Sequence, residues 1–120
     1  MTEYKSAQMA TTEFDRNNII AIFVQGKEWV SKVDGNSYWA SVVTLTDASH
    51  NTSYFCLEFQ YGYGSFYIQE SIKQLRERGY IDQPSAEYRS GIYSNGKRVI
   101  WSESMQEDCK KREVVAWGKD

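Results

Sequence analysis

Nowhere does this chain carry about 18 consecutive apolar residues, so no helix is expected to span a membrane. Its first eight residues hold no apolar stretch of the kind that forms a signal peptide, and a cytoplasmic location is expected. Cysteine is scarce: Cys56 and Cys109 stand far apart, without C-x-x-C spacing or a flanking histidine. That excludes a disulfide framework and a sequence-legible metal set, and both are read as free thiols with no cofactor or metal expected. Histidine occurs once, as His50. There is no basic excess either, since 14 Lys and Arg face 16 Asp and Glu for a net charge of −2. Nucleic-acid binders draw most of their affinity from phosphate neutralisation and usually show such an excess. No internal repeat or low-complexity segment appears.

What is present is enough for one core. At 120 residues the chain matches a single domain, which buries roughly two-thirds of its unfolded surface. Aromatic residues make up 15% of it and can supply much of that core. Charge is uneven along the chain. Residues 1–70 carry four Lys and Arg against eight Asp and Glu; residues 71–120 carry ten against eight. The second part is mildly basic, so a local patch is conceivable there.

Residues 1–17 are polar and read as an arm, followed by a single α+β domain over 18–120. The β-branched run from Ile19 to Val24 marks a buried strand that continues from Lys27 to Val33. Asp34-Gly35 then signals a hairpin turn into a strand over Ser37 to Thr46. Tyr54 to Tyr61 alternates, with Phe55, Leu57, Phe59 and Tyr61 on one face and Tyr54, Cys56, Glu58 and Gln60 on the other. A helix at about 65–78 follows. Ser65 stands at its N-cap, Ile68, Ile72 and Leu75 form its apolar stripe, and Gly79 is its left-handed stop. Pro84 forbids further helix. A second hairpin is expected from Ala86 to Glu103 around Asn95-Gly96, and a last strand from Arg112 to Trp117. The sum is an antiparallel, mostly meander sheet with one amphipathic helix. A small Greek-key barrel of the OB type has the same element order, so the sheet is expected either open or partly closed.

Candidate sites are few, and each has a plainer explanation. Asp47, Ser49 and His50 resemble a catalytic cluster, yet the same residue types are what a strand-connecting loop prefers. Cys56 has an acid, Glu58, as its neighbour, which does not activate a thiol. Gly62-Tyr63-Gly64-Ser65 before a helix suggests an anion cradle, but it lacks P-loop and dinucleotide spacing and suits a tight turn. Glu58, Glu70, Glu103, Glu107 and Asp108 read as solvated acids.

The aromatics pose the sharper question. Trp29, Tyr38, Trp39, Tyr54, Tyr61, Tyr63, Tyr67, Tyr88, Tyr93, Trp101 and Trp117 exceed what one face of a thin sheet can bury, unless both faces are covered. Outward Tyr and Trp are residues of protein-interface hot spots and of base-stacking platforms. Three readings follow. The first is a non-catalytic module that binds a larger protein, of inhibitor, immunity, anti-defence or adaptor type, as carried by phages and other mobile elements. Its contact residues are expected to be Tyr63, Tyr67, Tyr93 and Trp101. The second is an OB-like single-stranded nucleic-acid or nucleotide binder using Arg89, Lys97, Arg98, Lys110, Lys111 and Arg112 on phosphates. The third is a small enzyme built on His50 or Glu58. A strand at 112–117 with a free edge would also permit a homodimer.

Overall fold

The β-branched run beginning at Ile19 forms the twelve-residue strand β1, Ile19–Val30, in the computed structural model, which describes residues 13–82 and 91–119. Strands β2 (Ser37–Asp47) and β3 (Thr52–Tyr61) follow, then helix α1 (Phe66–Glu77). After it come a short hairpin, β4 (Tyr93–Ser94) and β5 (Lys97–Arg98), strand β6 (Ile100–Gln106), and helix α2 (Lys111–Trp117). The expected meander is present: β1, β2 and β3 pair antiparallel in sequence order. Strand β6 then joins the free side of β1, but parallel to it, giving the order β3-β2-β1-β6. The domain is therefore α+β with a mostly antiparallel sheet. The sheet does not close into a barrel, because β6 takes the free side of β1 and β3 and β6 remain as opposite edges. Among the described residues no helix is long and apolar enough to cross a membrane.

Helix α1 covers one face. Ile68, Ile72 and Leu75 pack with Ile22 and Val24 of β1, Val43 and Leu45 of β2, and Phe55 and Leu57 of β3. Its end follows from Gly79, whose φ of 78° allows a Schellman closure. The Gly79 N–H donates to the Arg76 carbonyl at 3.0 Å and the Tyr80 N–H to the Leu75 carbonyl at 2.9 Å. Its start differs from expectation, since the Ser65 side chain makes no capping bond. The first turn is closed instead by the Phe66 N–H donating to the Tyr63 carbonyl.

The second face corrects the reading of the C-terminal segment. Residues 112–117 form helix α2, not a strand. Val114 and Trp117, three apart, fall on one helical face and pack with Ala40, Val42 and Cys109. The start is secured by Glu113: its carboxylate accepts the Lys110 N–H at 2.7 Å, and its own N–H donates to the Lys110 carbonyl at 2.9 Å. Trp117 Nε1 donates to the Gln25 carbonyl at 2.9 Å. Burial of two large side chains overrides the strand propensity of Val114-Val115. The strand edge proposed for a homodimer is thereby removed, and both sheet faces carry a helix.

The hairpins also depart from the simple pattern. Strand β1 stops at Val30, and six residues rather than two connect it to β2. Gly35 alone takes the left-handed conformation, at φ 74°, while the Asp34 carboxylate accepts the Asn36 N–H. That bond holds the Asp34 carboxyl below its ordinary range. At Asn95-Gly96 both residues have positive φ, 51° and 81°, as expected of a two-residue turn. Its arms are only two residues long, however, and the chain leaves at Val99 to build β6 against β1. Most of the expected strand at 86–93 lies outside the described residues. So do residues 1–12 of the N-terminal arm; Phe14, near its end, packs against the α1 core.

Gly118 sits where α2 meets β2 and β3. A Cβ there would lie 2.8 Å from the Leu57 carbonyl oxygen and 2.9 Å from Ala40 Cβ. Gly118→Ala is accordingly expected to destabilise the fold by about 1–3 kcal/mol through displacement of α2. Urea denaturation followed by near-ultraviolet dichroism of the tryptophans measures this.

Candidate functional site

A β-bulge creates the most distinctive surface of the molecule. In the β2–β3 pairing, Trp39 faces Gln60 while Ser41 faces Leu57, so β3 carries one extra residue between them. The alternation expected for Tyr54–Tyr61 therefore breaks after Leu57. Phe55 and Leu57 remain under α1, but Phe59 is turned to the α2 side, beside Trp29. The β1–β2 register sets Trp29 opposite Tyr38, and Tyr38 faces Tyr61. A continuous ladder of rings results. Trp29 and Tyr38 lie 5.4 Å apart, Tyr38 stacks on Phe59 at 5.3 Å, and Tyr38 meets Tyr61 edge-on at 5.8 Å. Tyr61 meets Tyr63 edge-on at 5.3 Å.

The ladder runs from half-buried rings out to solvent, with Tyr61 53% and Tyr63 51% exposed. The Tyr63 hydroxyl donates to Asn36 Oδ1 at 2.8 Å, tying the β3–α1 turn to the β1–β2 loop. A hydrogen bond with Tyr61, together with some burial and nearby negative charge, raises the Tyr63 phenol above its ordinary value. It remains a neutral donor throughout the physiological range. Val30 and Val33 are exposed on the same loop side, and Phe66 is exposed just beyond Tyr63 with its ring 6.2 Å from Trp39. Among the described residues eight large apolar side chains are exposed, and five of them, Val30, Val33, Tyr61, Tyr63 and Phe66, lie towards this end of the sheet, Tyr61 against Tyr38 of the ladder and Phe66 beside Trp39 on the α1 side.

Of the four expected contact residues, Tyr63 belongs to this surface. Tyr67 does not: it lies in the first turn of α1, 7% exposed, with its ring 6.3 Å from Trp39 in the core. Tyr93 is exposed on β4, in a hairpin whose Asn95 side chain donates to the Asn17 carbonyl, just before β1. That places it near the opposite end of β1 from Tyr63, roughly 35 Å along the strand. Trp101, opposite Ile22, is half-buried and donates to Glu103 at 2.8 Å. Sequence reading passed over Phe59 because the bulge that redirects it leaves no mark in the alternation. The pairing of Trp29 with Tyr38 depended on where the loop after Val30 begins.

The basic residues divide. Lys97 and Arg98 lie on β5 beyond one end of β6, while Lys110, Lys111 and Arg112 stand beyond the other, roughly 20 Å away along that strand. Arg89 lies outside the described residues. Lys111 belongs to the ladder, its ammonium 5.4 Å from the Trp29 ring centroid and 6.0 Å from that of Phe59.

The Asp47 loop is structural. The Asp47 carboxylate accepts the N–H groups of Asp15, Ser49 and Asn51 at 2.8–2.9 Å. Burial pushes its pKa up, but these backbone donors together outweigh it and hold the carboxyl below the ordinary range. His50 occupies the left-handed position of the turn at φ 69°, its N–H bonded to the Asp47 carbonyl. Cys56 and Cys109 are not joined in a disulfide, and burial raises the Cys109 thiol above its ordinary value. In the Gly62–Ser65 turn the Gly62 N–H donates to the Ser37 carbonyl, and the Tyr63 and Ser65 carbonyls accept the Phe66 and Ile68 N–H groups that open α1. Gly62 is required by close approach, since a Cβ would lie 2.6 Å from both Trp39 Nε1 and Phe66 Cδ2.

Comparison with protein-family models, curated proteins and solved structures returns no match.

Two outcomes follow for the Asp47 loop. The depressed carboxyl adds stability that is fully present above the unfolded value of about 3.9 and is lost as pH falls through the lower folded value. Asp47→Asn is expected to lower the thermal midpoint at neutral pH and to flatten the acid limb below about pH 4. Thermal melts across an acid pH series read both. His50→Gly, which removes a side chain from a positive-φ site, is expected to leave stability unchanged or raise it by about 1 kcal/mol in urea titration.

Proposed function

We propose that this chain is a non-catalytic protein-binding module that grips a larger partner with the aromatic end of its sheet. The observation that carries the reading is the ring ladder from Trp29 through Tyr38, Phe59 and Tyr61 to Tyr63, whose last two rings are half exposed. Its inner rings are held by packing and its outer ones by mutual contact, so little side-chain entropy is lost on binding. Aromatic anchors of this kind are what interface hot spots are made of. A small domain presenting one rigid patch suits an inhibitor, immunity or anti-defence protein that blocks its target by occupancy.

Single-strand binding draws less support. The ladder rings already pack against one another, so bases do not enter between them, and the basic residues fall into two separated groups. An enzyme on His50 draws less still, because the Asp47 carboxylate is committed to loop amides.

The test is affinity capture from an extract of the source cell, with nuclease applied to half the sample, using the native chain and a Tyr61→Ala/Tyr63→Ala variant. A nuclease-resistant protein partner is expected, bound by the variant about thirtyfold or more weakly, as befits loss of about 2 kcal/mol at a hot spot. The variant's own stability is expected to change by about 1 kcal/mol or less, since both rings are half in solvent. Tyr67→Ala, by contrast, is expected to cost about 3–5 kcal/mol of stability. Equal capture by the native chain and the double variant, or recovery of nucleic acid alone, overturns the proposal.

A further inference from the structure

The outer rungs of the ladder present two ring faces at nearly a right angle. Tyr61 and Tyr63 meet at 80° with their centroids 5.3 Å apart, and each is about half exposed. An aromatic face carries the negative lobe of the ring quadrupole, so such a corner attracts a cation. The chain itself uses this chemistry at the inner rungs, where the Lys111 ammonium lies 5.4 Å from the Trp29 centroid and 6.0 Å from that of Phe59. Among the described residues no cation lies over Tyr61 or Tyr63.

The fixed charge beside this corner is negative. The Tyr63 hydroxyl donates to Asn36 Oδ1 at 2.8 Å, and the Asn36 N–H donates to Asp34 Oδ1 at 3.0 Å. Asn36 therefore links the phenol to the carboxylate. Asp34 is near enough to be felt there: the Tyr63 phenol is raised first by its hydrogen bond with Tyr61, then by burial, and also by the charge of Asp34. The Asp34 carboxylate is exposed and accepts hydrogen bonds from within its own loop, from Asn36 first and then Ser31. Among the described residues it forms no ion pair, either with Lys32 of the same loop or with any other cation.

We propose that Tyr61, Tyr63 and Asp34 form the seat for a basic side chain of the partner protein. Its charge lies against the two ring faces and pairs with the carboxylate. The inference rests on the protein-binding reading above and supplies the partner's chemistry at the ladder. Ring faces and carboxylate agree in sign, which selects a cation over an anion or a neutral apolar group. A guanidinium suits the corner well, since it stacks flat on one ring and offers two parallel N–H groups to the carboxylate. A phosphate backbone would meet Asp34 as a like charge, which weighs against a nucleic acid at this place.

The experiment titrates the isotope-labelled chain with N-methylguanidinium, with its neutral counterpart N-methylurea, and with acetate, following amide and tyrosine-ring resonances by NMR. Saturable shifts at Tyr61 and Tyr63 are expected with N-methylguanidinium, which binds about fivefold or more tightly than the urea and less tightly as salt rises. Asp34→Asn, whose side-chain oxygen still accepts the Asn36 N–H, is expected to weaken that binding about threefold. Tyr61→Leu is expected to abolish the response at Tyr63. Unchanged near-ultraviolet dichroism certifies the fold of each variant. Equal response to the two probes, a preference for acetate, shifts confined to the acidic segment of Glu107 and Asp108, or indifference to Asp34→Asn overturns the assignment. In the capture assay above, Asp34→Asn is expected to weaken the partner about fivefold, with further loss as salt rises. Capture that depends on Tyr61 and Tyr63 but not on Asp34 overturns this inference while leaving the protein-binding reading standing. Cation binding at the corner with capture indifferent to Tyr61 and Tyr63 overturns the ladder as the partner's site instead.

Discussion

Strand β2 is buried on both of its faces, and the rest of the structure is arranged to meet that condition. Val43 and Leu45 face α1, Ala40 and Val42 face α2, and all four are fully enclosed. A sheet with one wet face needs only one covering layer; a strand apolar on both faces needs two. The second layer is α2, seven residues long and anchored by Val114 and Trp117. A strand in that place would have paired at an edge and left Ala40 and Val42 in water. Gly118 completes the fit by ending α2 directly against the Leu57 carbonyl and Ala40.

The aromatic surface is a by-product of the same packing. Because α2 is short, it covers Val42 and Ala40 but stops short of the hairpin end, where Trp29, Tyr38 and Phe59 shelter one another. The bulge opposite Trp39 and Ser41 supplies the last of these rings and also leaves Tyr61 paired with Tyr38 at the rim. One extra residue in β3 thereby converts a regular half-buried strand into one that feeds both cores. Bulges commonly re-aim side chains in this way at functional edges. Lys111 of α2 reaches over two of these rings, Trp29 and Phe59.

Loop chemistry shows how polar residues that resemble a site can be spent on architecture. Asp47 collects three backbone donors and pins residue 15 to the β2–β3 turn. Asp82 does the same for the β4–β5 hairpin, accepting the N–H groups of Asn95 and Gly96 at 2.8 Å each. In both places the carboxylate serves as a local acceptor at a turn with positive φ, a role that needs no substrate.

Local signals were sufficient for some of this. The meander of β1, β2 and β3 was legible from β-branched runs and alternation, and α1 from its apolar stripe and Gly79, because those features report residue-by-residue preferences that the fold obeys. The Asn95-Gly96 turn was legible for the same reason: both residues tolerate positive φ wherever they stand. Three features were decided only by tertiary contact. Residues 112–117 became a helix because two large side chains gained a buried face that a strand would not have offered. Strand β6 left its hairpin partner because β1 presented a longer free edge. Phe59 changed faces because one residue of β3 had no counterpart in β2. Composition alone announced an aromatic surplus, but which rings met solvent depended on register, and register is a property of two strands together.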